Sequence, residues 1–191
     1  MNTIKIKILE YLLQNKEKEH NILSISKKIN TNYSNTYQNI KNMEELKIEK
    51  IGKTNKITLN NKLTNNLFIA ENNRKTKLLK SEVFQNIQRK VNKTKNPFNI
   101  LLIFGSSLNT NNPKDIDICI ITNSNKKEML EELETLSYAL DINIFTTNQF
   151  KEMISKKENN LGNEILKHNV ILKGVENYYE LIKKRTLIYK H

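Results

Sequence analysis

Residues 99–122 read NILLIFGSSLNTNNPKDIDICIIT. An apolar run, Ile100 to Phe104, stops at Gly105-Ser106; a polar loop follows, and Asp115-Ile116-Asp117 opens a second apolar run that continues through Ile121. Two short Ile-rich runs bounded by turn residues predict two buried strands. Side chains alternate along a strand, so Asp115 and Asp117 share one face and Ile116 takes the other. Two carboxylates at the mouth of an apolar strand repel each other and lose hydration, and a divalent cation offsets both costs. Mg²⁺ suits such a pair, because it binds one or two carboxylates and completes its shell with waters and phosphate oxygens. On the first strand, Gly105 lets another group approach the backbone closely, and Ser106 stands where a helix could begin, offering a hydroxyl and N–H groups to a phosphate. Together these residues predict a metal–nucleotide site.

Gly105-Ser106, a loop, and Asp115-x-Asp117 on the next strand resemble the polymerase-beta-type nucleotidyltransferases, and the small minimal nucleotidyltransferases most closely. The resemblance implies a mixed sheet with helices, two Mg²⁺ ions, an NTP substrate with ATP the expected one, and a third carboxylate from a later strand. Asp141 fits that third place, since Leu140-Asp141-Ile142-Asn143-Ile144-Phe145 is another short alternating segment about one helix downstream. The resemblance assigns Asp115, Asp117 and Asp141 as metal-holding catalytic residues, and Gly105, Ser106 and Ser107 to the nucleotide. In the family an Arg or Tyr often follows Gly-Ser and a Ser commonly precedes the first Asp; here Ser107, Leu108 and Lys114 stand there.

The chain before this stretch has a different character. Apolar positions between Ile4 and Leu13 form one stripe of a helix, Ile22 to Ile29 a short second helix, and Tyr33 to Leu46 a third with Tyr37, Ile40, Met43 and Leu46 predicted on its buried side. Lys47 to Ile51 and Lys56 to Leu59 read as two strands around Gly52-Lys53-Thr54-Asn55. Three helices and a basic hairpin in this order resemble a winged helix-turn-helix domain over residues 1–60. Such a domain lays its recognition helix in the major groove of double-stranded DNA. The outward residues here are Asn32, Ser34, Asn35, Gln38, Asn39 and Lys41, whose amides match adenine edges, while Lys53 and Lys56 on the wing suit phosphates. The same helices also suit a protein-binding module.

Residues 61–97 form a basic connector with one or two amphipathic helices, and residues 98–191 the nucleotidyltransferase-like domain. Beyond the second strand, Ser124 is expected to cap a helix, Asp141 opens a strand, and a helix spans about 148–157. Helix, strand, turn and helix then run from Gly162 to Ile182, a tail similar to archaeal-type members of the family. The fold class expected is therefore α+β, a winged helix-turn-helix followed by a small mixed-sheet domain.

Charge agrees with that division. The net +12 is made of 11 basic against 6 acidic residues over 1–60, 9 against 2 over 61–97, and 12 against 12 over 98–191. A basic first half beside a neutral second half is what a nucleic-acid partner requires. One cysteine excludes an intrachain disulfide, no apolar stretch is long enough to cross a membrane, and a soluble cytoplasmic protein is expected. The three histidines lack metal-ligand spacing, and no GxxxxGK[ST] loop is present. The expected activity is transfer of a nucleoside monophosphate from an NTP to a hydroxyl of a protein or small molecule. The alternative is a DNA-binding regulator or antitoxin whose second domain senses a nucleotide or a partner protein without catalysis. Winged-helix proteins commonly pair, so a homodimer is the default expectation.

Overall fold

A computed structural model describes residues 3–52, 54–93, 99–108, 114–156 and 158–188, with side chains through residue 183. The chain is α+β and forms two compact units, Met1–Asn73 and Arg74–His191.

In the first unit the apolar stripe of α1 (Thr3–Gln14) buries Ile8, Leu9 and Leu13 completely. α2 (Ile22–Lys28) begins at Asn21, whose side chain accepts from the Ser24 N–H while Ser24 Oγ accepts from the Asn21 N–H, satisfying two donors at once. α3 (Tyr33–Lys41) is capped by Asn32 through one bond, its side chain accepting from the Asn35 N–H. It ends sooner than the apolar spacing predicts. The Asn42 and Met43 N–H groups turn back to Asn39 and Ile40, and Leu46 already belongs to β1 (Leu46–Ile51). Met43 and Leu46 are buried as expected, from a turn and a strand rather than from the helix. Tyr37 is not buried: the inward line of α3 is Thr36 and Ile40, and a residue one step further round faces water.

β1 pairs antiparallel with β2 (Thr54–Leu59), Ile51 opposite Thr54. Thr54 and Asn55 already belong to β2, and Gly52, just after β1, takes the positive φ of +59° that a tight turn demands. His20 forms a bridge to Ile57 at the edge of this hairpin. α4 (Asn65–Leu78) begins in the first unit and ends in the second, so the basic segment 61–97 is shared between them.

The second unit holds α5 (Glu82–Lys93) and a four-stranded sheet of β3 (Ile100–Phe104), β4 (Ile116–Ile121), β5 (Leu140–Phe145) and β6 (Asn169–Lys173). Its order is β5-β4-β3-β6; β4 and β5 run parallel, and β3 is antiparallel to both its neighbours. α5 and α6 (Lys126–Glu134) cover one face, where Phe84, Ile87, Val91, Met129 and Leu133 pack on Leu101, Ile103, Ile116, Ile118 and Ile120. The other face carries Leu102, Cys119 and Ile171 in one register row. There α7 (Thr147–Ser155) packs on β5 and α9 (Val175–Ile188) on β3, with α8 (Leu161–Lys167) against α7. A strand enclosed on both faces needs no polar alternation, and all five residues of β3 are buried.

The cap of α6 differs from expectation. Asn125, in a left-handed conformation, stands at the N-cap position, while Thr122 Oγ donates to the Ser124 carbonyl at 2.6 Å. Among the described residues no helix is long and apolar enough to cross a membrane.

Candidate functional site

The sheet register brings the sequence-predicted acids to one edge. The carboxyl end of β3 and the amino ends of β4, β5 and β6 meet there, because β3 is antiparallel to β4 and β6 while β5 runs with β4. Asp141, Asp117, Phe104 and Asn169 lie side by side as one row across the four strands. Asp117 therefore points to the face opposite α5 and α6, and Asp115 sits in the bend just before β4.

Gly105 is where the backbone makes this arrangement fit. Its φ of +70° turns the chain out of β3, and a Cβ there would lie 2.2 Å from Asp117 Oδ2. The Asp117 carboxylate thus lies directly over Gly105, in space that any other residue would fill. A short 3-10 turn over Gly105–Leu108 then aims the Ser106 N–H at the carboxylate. Burial pushes the Asp117 carboxyl above its ordinary range, and the Asp115 and Asp141 charges push it the same way. The N–H groups of Ser106 and of Asp117 itself offset part of this.

The remaining site residues divide. Ser106 is exposed at the head of the turn, where its hydroxyl can meet a ligand. Ser107 is buried, and its Oγ donates to the Phe104 carbonyl at 2.8 Å, so the hydroxyl closes off β3 and only the peptide N–H is left to offer. Asp115 and Asp141 are exposed, and Asn143 Nδ2 donates to Asp141 Oδ1 at 3.3 Å. Among the described residues, none of the three carboxylates has an ion-pair partner. Residues 109–113 of the loop lie outside the described residues.

The donor set suits a hard divalent cation in kind: carboxylate oxygens, one of them half-buried and crowded by like charge, with a glycine cradle and an exposed hydroxyl beside them. Among the described residues no three of His, Cys, Asp or Glu are gathered closely enough to hold a metal by themselves. Cys119 stands next on the same strand face, fully buried, and burial raises its thiol well above the usual range, which makes it inert packing.

Sequence reasoning missed Asn169. It is fully buried at the same edge, its Nδ2 donates to the Ile165 carbonyl and the Tyr178 hydroxyl, and its backbone carbonyl accepts from the buried Arg74 guanidinium. No local signal marks it, since the pairing of β6 with β3 alone puts it there.

In the first unit, the residues expected to meet nucleic acid differ in how free their side chains are. Ser34, Asn35, Gln38 and Lys41 are exposed on α3. Asn32 spends its side-chain oxygen on the helix cap, and half-buried Asn39 donates its Nδ2 to the Asn35 carbonyl at 2.7 Å. Lys56 Nζ donates to Glu19 at 2.6 Å, an exposed pair that holds the ammonium pKa above its ordinary value. Lys53 lies outside the described residues. Tyr33 and Tyr37, unassigned or placed in the core from sequence, are exposed on the same helix.

Set against protein-family models, curated proteins and solved structures, the chain gives no significant match in any of the three.

Proposed function

We propose that the second unit is a Mg²⁺-dependent nucleotidyltransferase of the minimal polymerase-beta type, and that residues 1–60 are a winged helix-turn-helix domain that ties it to double-stranded DNA. The observation that carries the first half is the Asp117 carboxylate lying over Gly105, against the Ser106 N–H and beside Asp115 and Asp141, with no cation of the protein's own among the described residues.

In this reading Asp115 and Asp117 hold the ion that carries the triphosphate, and the Ser106 hydroxyl and the turn's N–H groups hold phosphate oxygens. Asp141 stands one strand away, where it orients the acceptor hydroxyl and receives its proton. The acceptor oxygen bonds to the α-phosphorus while the bond to the pyrophosphate oxygen breaks, in line. Bound Mg²⁺ supplies neutralisation of the phosphate charge and makes the attacking hydroxyl more acidic.

The test is incubation with Mg²⁺ and each α-labelled NTP in turn, with extract from the protein's own source as the acceptor pool. Wild type is expected to move label to a protein or small molecule, with ATP the expected donor, and Asp117→Asn to lose about 100-fold or more of that rate, the size of effect seen when one group that stabilises transition-state charge is removed. Full activity in Asp117→Asn sinks the assignment.

A second reading has one observation in its favour: the Ser107 hydroxyl is engaged within the protein, and the family's Arg or Tyr at that position is absent. In it the fold binds nucleotide without turnover, and the chain acts as a DNA-binding regulator or antitoxin that answers to nucleotide or a partner protein. Metal-dependent NTP binding with no transfer to any acceptor would select this reading.

A further inference from the structure

We infer that the exposed face of α3 reads A·T base pairs in duplex DNA, with the Tyr33–Tyr37 ring pair as its contact to thymine methyl groups. The inference rests on the DNA-binding reading of residues 1–60 and names the target. Ser34, Tyr37, Gln38 and Lys41 are all exposed at the i, i+3, i+4, i+7 spacing of a single stripe, and Tyr33 stands one turn before Tyr37. The two rings stack, with centroids 6.3 Å apart and planes 11° from parallel, although Tyr33 is 51% and Tyr37 38% exposed. The pair therefore presents aromatic surface to water on the outer side of α3.

Charge selects the partner. α3 contains no acidic residue. Lys27 and Lys28 at the end of α2, Lys41 at the end of α3 and Lys50 on β1 are exposed and have no ion-pair partner among the described residues. A second copy of this face would set lysine against lysine, whereas a polyanion matches it. The side chains then select the bases. The amides of Asn35 and Gln38 fit the N6/N7 edge of adenine, and an aromatic ring fits the C5-methyl of the thymine paired to it. The face has no Arg to fork onto guanine and no Asp or Glu to accept from cytosine, and its one cation, Lys41, is assigned here to a phosphate.

The full chain should be used to select duplexes from a random-sequence pool, and the enriched duplex then remade with deoxyuridine at every thymidine, which deletes the methyls and leaves the pairing. An A·T-rich core is expected, with binding weakened roughly fourfold for each methyl contacted. Tyr37→Ala is expected to shrink the difference between the thymine and uracil duplexes, Tyr33→Ala with Tyr37→Ala to abolish it, and Tyr37→Phe to keep it. Tyr37→Phe should unfold at the wild-type temperature and Tyr37→Ala only slightly below it, since the lost ring is 38% exposed and stacks on Tyr33. A G·C core, or equal affinity of wild type for the two duplexes, overturns the inference. So does a Tyr37→Ala chain that loses self-association and keeps the methyl dependence. If no duplex is enriched at all, the DNA reading itself fails and takes the inference with it.

Discussion

Gly105 and Asp117 occupy one another's space. A methyl at residue 105 would meet Asp117 Oδ2 at 2.2 Å, at a φ of +70° that already costs an L-residue about 1–2 kcal/mol. Gly105→Ala is therefore expected to lower the unfolding free energy by at least that much in urea, and to displace the carboxylate so that Mg²⁺-dependent NTP binding is lost by calorimetry. A variant that binds as wild type does would show the carboxylate has another place to go. Asp117 itself is held in an unfavourable state for an anion. Its carboxyl is raised in the folded chain by burial and by two neighbouring charges, so the folded state binds the proton more readily than the unfolded one. Stability from this group is thus greatest below the unfolded carboxyl pKa and declines as pH rises through the raised value. At neutral pH, without metal, Asp117→Asn is expected to be neutral or to stabilise by about 1 kcal/mol or less, the half-exposed position screening the effect. Added Mg²⁺ and NTP should raise the melting temperature of wild type and leave the variant unmoved. A stability gain in Asp117→Asn together with loss of the ligand-induced shift is the pattern expected of a functional residue rather than a packing one. That the two acids of Asp-x-Asp stand close could be read from the chain, but strand alternation is not the reason, because Asp115 sits in the bend before β4 and only Asp117 belongs to the strand. That Ser107 turns its hydroxyl inward could not, since a 3-10 turn rotates each successive side chain by a third of a circle and nothing in Gly-Ser-Ser-Leu tells which serine faces out.

β4 links the two layers of the second unit, and it is the element on which the site depends most. Ile118 and Ile120 are fully buried under α5 and α6, while Asp117 and Cys119 take the opposite face. Ile118→Ala should cost about 3–4 kcal/mol, from lost burial and the cavity left beneath α5. In a urea titration the midpoint should fall with the slope unchanged. A loss under 1 kcal/mol would mean that the helix layer can collapse onto the sheet. β3, β4, β5 and β6 were legible because each is a short apolar run with turn residues at both ends, and their boundaries shift by only a residue or two. α3 was less so. Tyr37, Ile40 and Met43 fall three apart, close enough to the helical repeat to pass for one buried line, yet the true line is Thr36–Ile40, with a threonine whose hydroxyl bonds back to Asn32. A polar residue inside and an aromatic outside invert the pattern that periodicity counts. Ser124 misled for a related reason: it has a good capping side chain, but Asn125 can adopt the positive φ the turn needs, and conformation outweighed the missing cap bond.

At the scale of the whole chain, the sequence shows no linker where the two units divide. The division at 73/74 falls inside α4, in a run of Asn, Arg and Lys with no Gly or Pro, so composition could place a boundary only where charge density changes. Net charge is more informative about partners than about boundaries, and it is smaller in effect than the count suggests. In the first unit Lys47 is paired with Glu49, Lys56 with Glu19 and Lys62 with Glu44. Such exposed pairs add little stability, but each removes a cation that could release a counterion from DNA. If Lys27, Lys28, Lys41 and Lys50 are the ones that meet phosphates, the logarithm of the binding constant should fall against the logarithm of salt with a slope of about −3.6, from about 0.9 per contact. Glu19→Gln releases Lys56 at the edge of the hairpin. The slope should then steepen to about −4.5, and affinity should rise at low salt while the A·T preference stays the same, because a phosphate contact carries no base information. A slope near −1 for wild type would mean that the lysines of α2, α3 and β1 do not face the duplex together. An unchanged slope in Glu19→Gln would place the hairpin edge away from the backbone and leave α3 as the contact.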